Sequence, residues 1–262
     1  MIRSLYTSAT GMKANQLYID NISNNLANVN TTGFKKSKLE FQELLYQTLV
    51  EPGSGAADGS KSPAGLQLGL GVRSVANQKI FGQGNLQETK NPFDLAITGT
   101  GFLQVQLPSG EIGYTRDGSF KISNDGTLVT SSGFPLEPQL TIPEGAGDIQ
   151  IDAQGKVSVM LNDSGTTEEI GQIELVKFLN EGGLRSMGNN LYQVSPASGD
   201  PEAGTPGTNG LGTLAQGYLE ASNVELVEEM VNMIVAQRAY EVSSKAIQTS
   251  DSMLQLANQL RG

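Results

Sequence analysis

Histidine, cysteine and tryptophan are absent from this 262-residue chain, and each absence removes chemistry. Without His there is no Ser-His-Asp or Cys-His nucleophile, no imidazole base and hardly a route to a zinc or iron centre. Without Cys there is neither thiolate chemistry nor a disulfide, and the redox compartment stays open, because a chain lacking Cys is tolerated in any. Hydrophobic residues make up 37% and aromatic ones 6%, which predicts a thin core, built as small modules or completed by burial in an assembly. Long apolar runs are missing too. No stretch approaches the ~18 residues of a membrane span, and MIRSLYTSATGMKANQ lacks the apolar run of about 7–15 residues of a secretory signal. The expectation is no membrane insertion, and either a cytoplasmic chain or export by a machine that reads an uncleaved terminus. Positive charge is also short. A net charge of -10 argues against nucleic acid and anionic membranes, whose binding needs a basic patch.

The breakers of regular structure are unevenly placed. All ten prolines lie between Pro52 and Pro206, and of 32 glycines only Gly11, Gly33 and Gly262 lie outside residues 46–218. Both ends therefore read as helix. Residues 219–262 carry Val224, Val227, Val231, Val235, Ala239, Val242, Ala246, Thr249, Met253, Leu256 and Leu260 at spacings of three and four, a heptad seam with a stutter from Val227 to Ala239. Ser222 with Glu225 reads as a capping box; Glu225, Glu228 and Glu229 suit the positive end of the helix dipole and Arg261 the negative one. In the N-terminal segment Leu5, Met12, Ile19 and Leu26 recur every seventh residue, with Ile22 and Val29 three after two of them. Thr31-Thr32-Gly33 reads as its stop. Neither stripe is covered by its own helix, so the spacing predicts an antiparallel coiled coil of the two ends with the rest of the chain inserted between them. Asn25, Asn28 and Gln237 are candidate polar register-setters.

The middle reads as β. Asp94–Ile97, Phe102–Val105 and Ile173–Val176 are short apolar runs, Asp117-Gly118 and Asp125-Gly126 are hairpin-type dipeptides, and Ile149–Ile151 with Val157–Val159 flank an Asp152…Gly155 turn. Residues 51–65 and 196–212 are rich in small residues and read as flexible joints. The fold class is therefore α+β, with a mostly antiparallel, all-β central domain. The expected division is residues 1–45 and 219–262 as a discontinuous helical domain, 46–91 and 186–218 as extended connectors, and 92–185 as the β-domain.

Catalytic and metal-binding patterns are weak. Gly99-Thr100-Gly101 lacks the third glycine and the helix of a dinucleotide site. Asp117 with Asp125, and Glu168-Glu169, invite comparison with a glycosidase pair, yet Asp beside Gly in a hairpin more often serves backbone geometry, and Glu168-Glu169 reads as a solvated turn. Asn162-Asp163-Ser164-Gly165 is a poor calcium loop. No catalytic, cofactor-binding or metal-binding residue is expected. A carbohydrate-binding or carbohydrate-acting β-domain with helical oligomerisation ends is the rival class; the missing Trp, a stacking platform for sugars, counts against it.

Two end motifs carry a family resemblance. Asn24-Asn25-Leu26-Ala27-Asn28-Val29-Asn30-Thr31-Thr32-Gly33-Phe34-Lys35 resembles the N-terminal signature of bacterial flagellar rod and hook proteins. Ser222-Asn223-Val224, Glu228-Glu229-Met230-Val231 and Ala236-Gln237-Arg238-Ala239-Tyr240-Glu241 resemble the C-terminal one. Phe93–Phe102 and Tyr114–Phe120 resemble the β-domain motifs of that class, so the likeness covers nearly the whole chain. Length, a single modest β-domain and the Gly/Ser/Ala-rich stretch after Leu49 resemble the distal rod members most, with hook and proximal rod members next. The resemblance implies a structural subunit and no enzyme. It implies a hollow helical homopolymer with the terminal helices at its inner wall and the β-domain outside. It further implies termini unfolded before assembly, export by the flagellar type III apparatus, and a periplasm-spanning site in the basal body. Proximal rod subunits, hook subunits and the surrounding peptidoglycan and outer-membrane ring proteins are the implied partners. Residues 46–71 are implied to keep the rod straight and stiff. Leu5, Met12, Ile19, Ile22, Leu26, Val29, Val227, Val231, Val242, Met253 and Leu256 are the expected seam of the subunit interface.

Overall fold

A computed structural model describes residues 2–52, 64–143, 145–161 and 167–259. Its contacts fall into two units: Met1–Leu26, Ser37–Gln78 and Leu226–Gly262 form one, Ala27–Lys36 and Lys79–Glu225 the other. The expected bounds are redrawn at three places. Residues 27–36 belong with the β body. Residues 46–91 and 186–218, expected as connectors, carry paired strands. The C-terminal helix starts at Leu226, because Tyr218–Glu220 is a strand paired with Leu86–Glu88. Residues 53–63, most of the first expected joint, and Asn162–Gly165 lie outside the described residues.

The first unit holds helix α1 (Ile2–Ala27), helix α2 (Leu226–Gln259) and a long ribbon. The ribbon comprises β1 (Ser37–Glu43), β2 (Tyr46–Val50), β3 (Leu66–Gly69) and β4 (Val72–Lys79), with β1 paired to β4 and β2 antiparallel to β3. The polar residues of α1 have a use here. Asn21 donates to Ser37 Oγ (2.8 Å) and Asn77 Oδ1 (3.1 Å), while Asn25 exchanges hydrogen bonds with the Ser37 backbone (3.0 Å each way). Tyr18 meets Phe41 of β1 edge-on. Buried amides that find partners fix a position where apolar contacts would allow sliding.

The second unit is the β body, whose strand pairs are antiparallel. Its largest sheet runs in the order Leu136–Glu137, Leu103–Gln106, Ile112–Thr115, Leu191–Gln193, Arg185–Gly188. A second sheet joins Ala146–Ile151, Lys156–Leu161 and Thr167–Gln172, so Glu168-Glu169 lies on a strand and not in a turn. Leu95-Ala96-Ile97 and Leu103-Gln104-Val105 are buried at every position, since both faces of these strands are covered. Leu95, Leu103, Val105, Phe120, Val157 and Ile173 centre one apolar cluster. Phe102, Tyr114, Phe178 and Tyr192 form a second, with edge-to-face rings 4.8–6.1 Å apart.

Asp125-Gly126 closes the expected hairpin, with Gly126 at φ +74°. Asp117-Gly118 does not: it is a bend held against the neighbouring strand, where a Cβ on Gly118 would meet the carbonyl oxygen of Leu95 at 1.6 Å. Gly118→Ala should therefore unfold the β body at a markedly lower temperature, a cost of about 3 kcal/mol or more. Gly110→Ala, in open space at φ +83°, should cost about 1 kcal/mol. Thermal melts of the two variants check the difference.

Candidate functional site

The two end motifs meet inside the β body. Gly33 N donates to Glu220 O (2.8 Å), and Asn223 N to Phe34 O (3.4 Å). The Asn223 side chain accepts from Lys36 N (2.7 Å) and donates to Ile80 O (2.8 Å) and Gly82 O (3.1 Å). Only glycine fits at position 33: its φ is +66°, and a Cβ would lie 2.6 Å from Asp117 N. Phe34 is buried under the Lys79 ammonium, 4.3 Å from the ring centre.

A buried charge cluster sits at this clamp. Lys35 Nζ donates to Glu220 Oε1 at 2.6 Å and to Gly82 O at 2.8 Å, and Glu220 Oε1 also accepts from Gly84 N. Arg116 Nη1 donates to Gly99 O (2.9 Å) and lies 3.5 Å from Glu220 Oε2. The three side chains are 0–1% exposed. Arg116 Nε and Glu220 Oε2 make no hydrogen bond. Burial pushes Lys35 and Arg116 below their ordinary values, and Glu220 opposes both shifts. Burial raises Glu181, opposed by Arg116 and Lys35, and lifts Tyr192 to about 12, opposed by Arg116. This arrangement offers no open cleft to a substrate. It is an internal tie, two cations sharing one carboxylate, between segments far apart in sequence.

In the first unit α1 and α2 lie antiparallel. Ser4 Oγ is 3.4 Å from Ser250 Oγ, Gly11 faces Ser243 Oγ, and Asn25 Nδ2 is 3.5 Å from Glu229 Oε2. In each pair the residue numbers sum to 254, so the register is constant from Ser4 to Asn25, about six turns, and places Tyr18 opposite Ala236. The contact row is thus Ser4, Gly11, Tyr18 and Asn25 against Glu229, Ala236, Ser243 and Ser250, each set spaced by seven. Burial and the carboxylates of Glu229 and Glu228 raise the Tyr18 phenol.

The expected seam stands elsewhere. On α1, Ile22 is buried, while Leu5, Met12, Ile19 and Leu26 are half-buried one position round from the contact row; Val29 lies past the helix end. On α2, Val227, Val231, Val242, Met253 and Leu256 are exposed, 53–73%, so the contact within the chain does not use them. Of the motif residues, Asn25 and Val224 are buried, Ala27 is exposed, and Asn28 accepts from Thr31. Ser222 bonds Val224 N at 3.3 Å, outside a helix that begins at Leu226, so the expected capping box gives way to a turn. Gln237 and Arg238 are exposed, Arg238 pairing with Glu241, and Tyr240 is half-buried.

Asp117, weighed above as one of a catalytic pair, is occupied structurally. Its Oδ1 accepts from Thr32 Oγ1 (3.1 Å), Ser119 N (3.1 Å) and Ser119 Oγ (2.8 Å). Gly99 and Gly101, at φ +113° and +131°, form a turn into a strand. Sequence reasoning missed Lys35, Arg116 and Glu220 as a cluster; nothing local marks three charges 81 or more residues apart as neighbours. The helix contact row was missed as well; the signal that marks it is small residues at heptad spacing, Ser4 and Gly11 on α1, Ala236, Ser243 and Ser250 on α2.

Glu220→Gln should cost about 3–5 kcal/mol, because it leaves two buried cations without a counter-charge. Lys35→Met keeps the Arg116–Glu220 pair and should cost clearly less. Denaturant unfolding followed by the near-ultraviolet signal of the tyrosines ranks them, and equal costs would contradict the cluster's assigned charge balance.

The sequence matches three protein families: flagella basal body rod protein over residues 5–35, the flagellar hook protein FlgE/F/G D1 domain over 96–159, and the flagellar basal body rod FlgEFG protein C-terminal region over 215–260. It is 52% identical to the flagellar basal-body rod protein FlgG of Buchnera aphidicola subsp. Schizaphis graminum, over 99% of this chain and 100% of that protein. It is 50% identical to FlgG of Borreliella burgdorferi, over 100% and 99%, and 42% identical to FlgG of Bacillus subtilis, over 97% of each. Family motifs, matched in order along both ends and the β body, and identity sustained over the full length lead to one conclusion: the chain belongs to the flagellar basal-body rod FlgG family.

Proposed function

We propose that this chain is a structural subunit of the distal rod of the bacterial flagellum, polymerising helically into a stiff hollow shaft that carries motor torque to the hook and filament. One observation carries the reading beyond family membership: the apolar row on α2. Val227, Val231, Val235, Val242, Met253 and Leu256 are each more than half exposed. Fully covering a Val, Leu or Met side chain contributes about 1.5–3 kcal/mol. Six half-open ones therefore hold on the order of 5 kcal/mol that only a partner surface releases. Identical subunits joined by heterologous contacts form a helix with no closed end, and a row running the length of α2 suits that arrangement. The seam of a coiled coil, on this reading, is completed between subunits.

Charge supports the same division. Residues 27–36 and 79–225 hold nine Lys/Arg and 18 Asp/Glu; the remainder holds eight and nine. A nearly neutral helical unit packs beside its copies without strong repulsion, and an acidic body keeps the assembly's outer surface soluble. On this reading the helical unit lines the tube and the β body faces outward. Rod and hook subunits are its axial neighbours, ring proteins surround it, and the flagellar type III apparatus exports it without cleavage. Among the described residues no helix is long and apolar enough to cross a membrane.

Val231→Asp and Val242→Asp should each abolish rod assembly and motility while leaving the melting of the β body unchanged. Swimming at the parental rate in both variants would remove the α2 row from the interface.

A further inference from the structure

Among the described residues, the helix register carries the end of α2 beyond the first residue of α1. Residue pairs on α1 and α2 sum to 254, as Ser4–Ser250 and Asn25–Glu229 do, so Ile2 falls opposite position 252. The last two turns of α2, from Met253 to Gln259, run past the start of α1. Met253 and Leu256 on these turns are 53% and 59% exposed.

The same unit contains a cleft of about 280 Å³ between α1 and the ribbon. Tyr6, Ala14 and Leu17 line it from the helix, Leu44 and Val72 from the ribbon. Its build is defined: Val72 N approaches Thr10 Oγ1 at 3.5 Å, and Leu44 N donates to Gly71 O at 2.8 Å. Lys13 and Arg73, both exposed, give the lining a positive charge, whereas α2 carries exposed Asp251 just before the overhang. The Leu17 end of the cleft lies far from the chain's own overhang. Leu17 lies opposite position 237, and Met253 is 16 residues further along α2, roughly 24 Å away.

We propose that the overhanging end of α2 seats in this cleft on a second copy of the chain, Met253 and Leu256 entering the apolar lining and Asp251 facing Lys13 and Arg73. The inference rests on the self-polymerising reading above and deepens it by assigning the two surfaces. An end of one copy docked into a cleft elsewhere on the next is heterologous. It propagates along an axis and sets a polarity, as a shaft requires.

The natural chain has no cysteine, so an engineered pair has no background. The full chain carrying Met253→Cys and Leu17→Cys, assembled into basal bodies and oxidised mildly, should run as a ladder of dimers and higher species on non-reducing gels. Either single variant should run as monomer. Assembled rods whose double variant runs only as monomer would overturn the docking while leaving the rod reading intact. A disulfide closed within one chain would overturn the register on which the docking depends. As a second readout, Asp251→Lys should impair assembly and added Arg73→Glu should restore it; failure to restore would count against the paired charges. A parental chain that never enters basal bodies would sink the rod reading itself.

Discussion

The contact of α1 with α2 is made by side chains too small or too polar to bury much apolar area. Ser4, Gly11, Ser243 and Ser250 bring the backbones near, and Asn25 with Glu229 fixes the alignment. Small residues allow close approach, and a buried polar pair penalises every other register. The energetic consequence is asymmetric. The protomer obtains a defined helix alignment at little cost in apolar surface, and most of the large side chains of α2 stay on the open face. Helical order in such a pair depends on whatever covers that face, since most helix stability in proteins comes from packing an apolar side and little from propensity. On the proposed assembly-coupled reading this is the balance required: little cohesion in the helix pair alone, ample cohesion once a partner surface covers it.

The β body follows the opposite logic. Its core is closed, and it carries an internal charge cluster that joins the segment after α1 to the segment before α2 through Lys35, Glu220 and Arg116. Buried ion pairs add little net stability over apolar replacements, yet removing one member is costly. Their use here is geometric. Glu220 receives Lys35 and Gly84 N at one oxygen, and Asn223 reads the backbone of residues 36, 80 and 82. The arrangement specifies where both ends enter the body, and it explains why the motif glycine at 33 and the motif asparagine at 223 stand where they do.

Much of this was legible in the sequence. The helical ends, the β middle and the Asp125-Gly126 hairpin follow from periodicity, breakers and composition. The α2 stripe was visible as an apolar row, but its partner was not. Periodicity identifies a face that needs covering and is silent on which copy covers it. The contact row within the chain escaped notice because it is made of Ser, Gly, Ala and Asn, which hydrophobic patterning ignores. Glu220 was placed in the helical end domain, just ahead of the expected cap at Ser222, whereas long-range pairing with Leu86–Glu88 and Lys35 makes it a strand residue of the β body. Three charges distant in sequence become neighbours only through topology.

The central claim is that α2 keeps an apolar face open in the protomer and closes it in the polymer. Thiol labelling of a Val242→Cys chain, compared between purified monomer and isolated basal bodies, tests it most directly. The account predicts fast labelling in the monomer and labelling slower by orders of magnitude in the rod, with Ala236→Cys, in the contact row, slow in the rod as well. Equally fast labelling of residue 242 in monomer and rod would mean that the row is never covered, and the assembly-coupled account would be wrong.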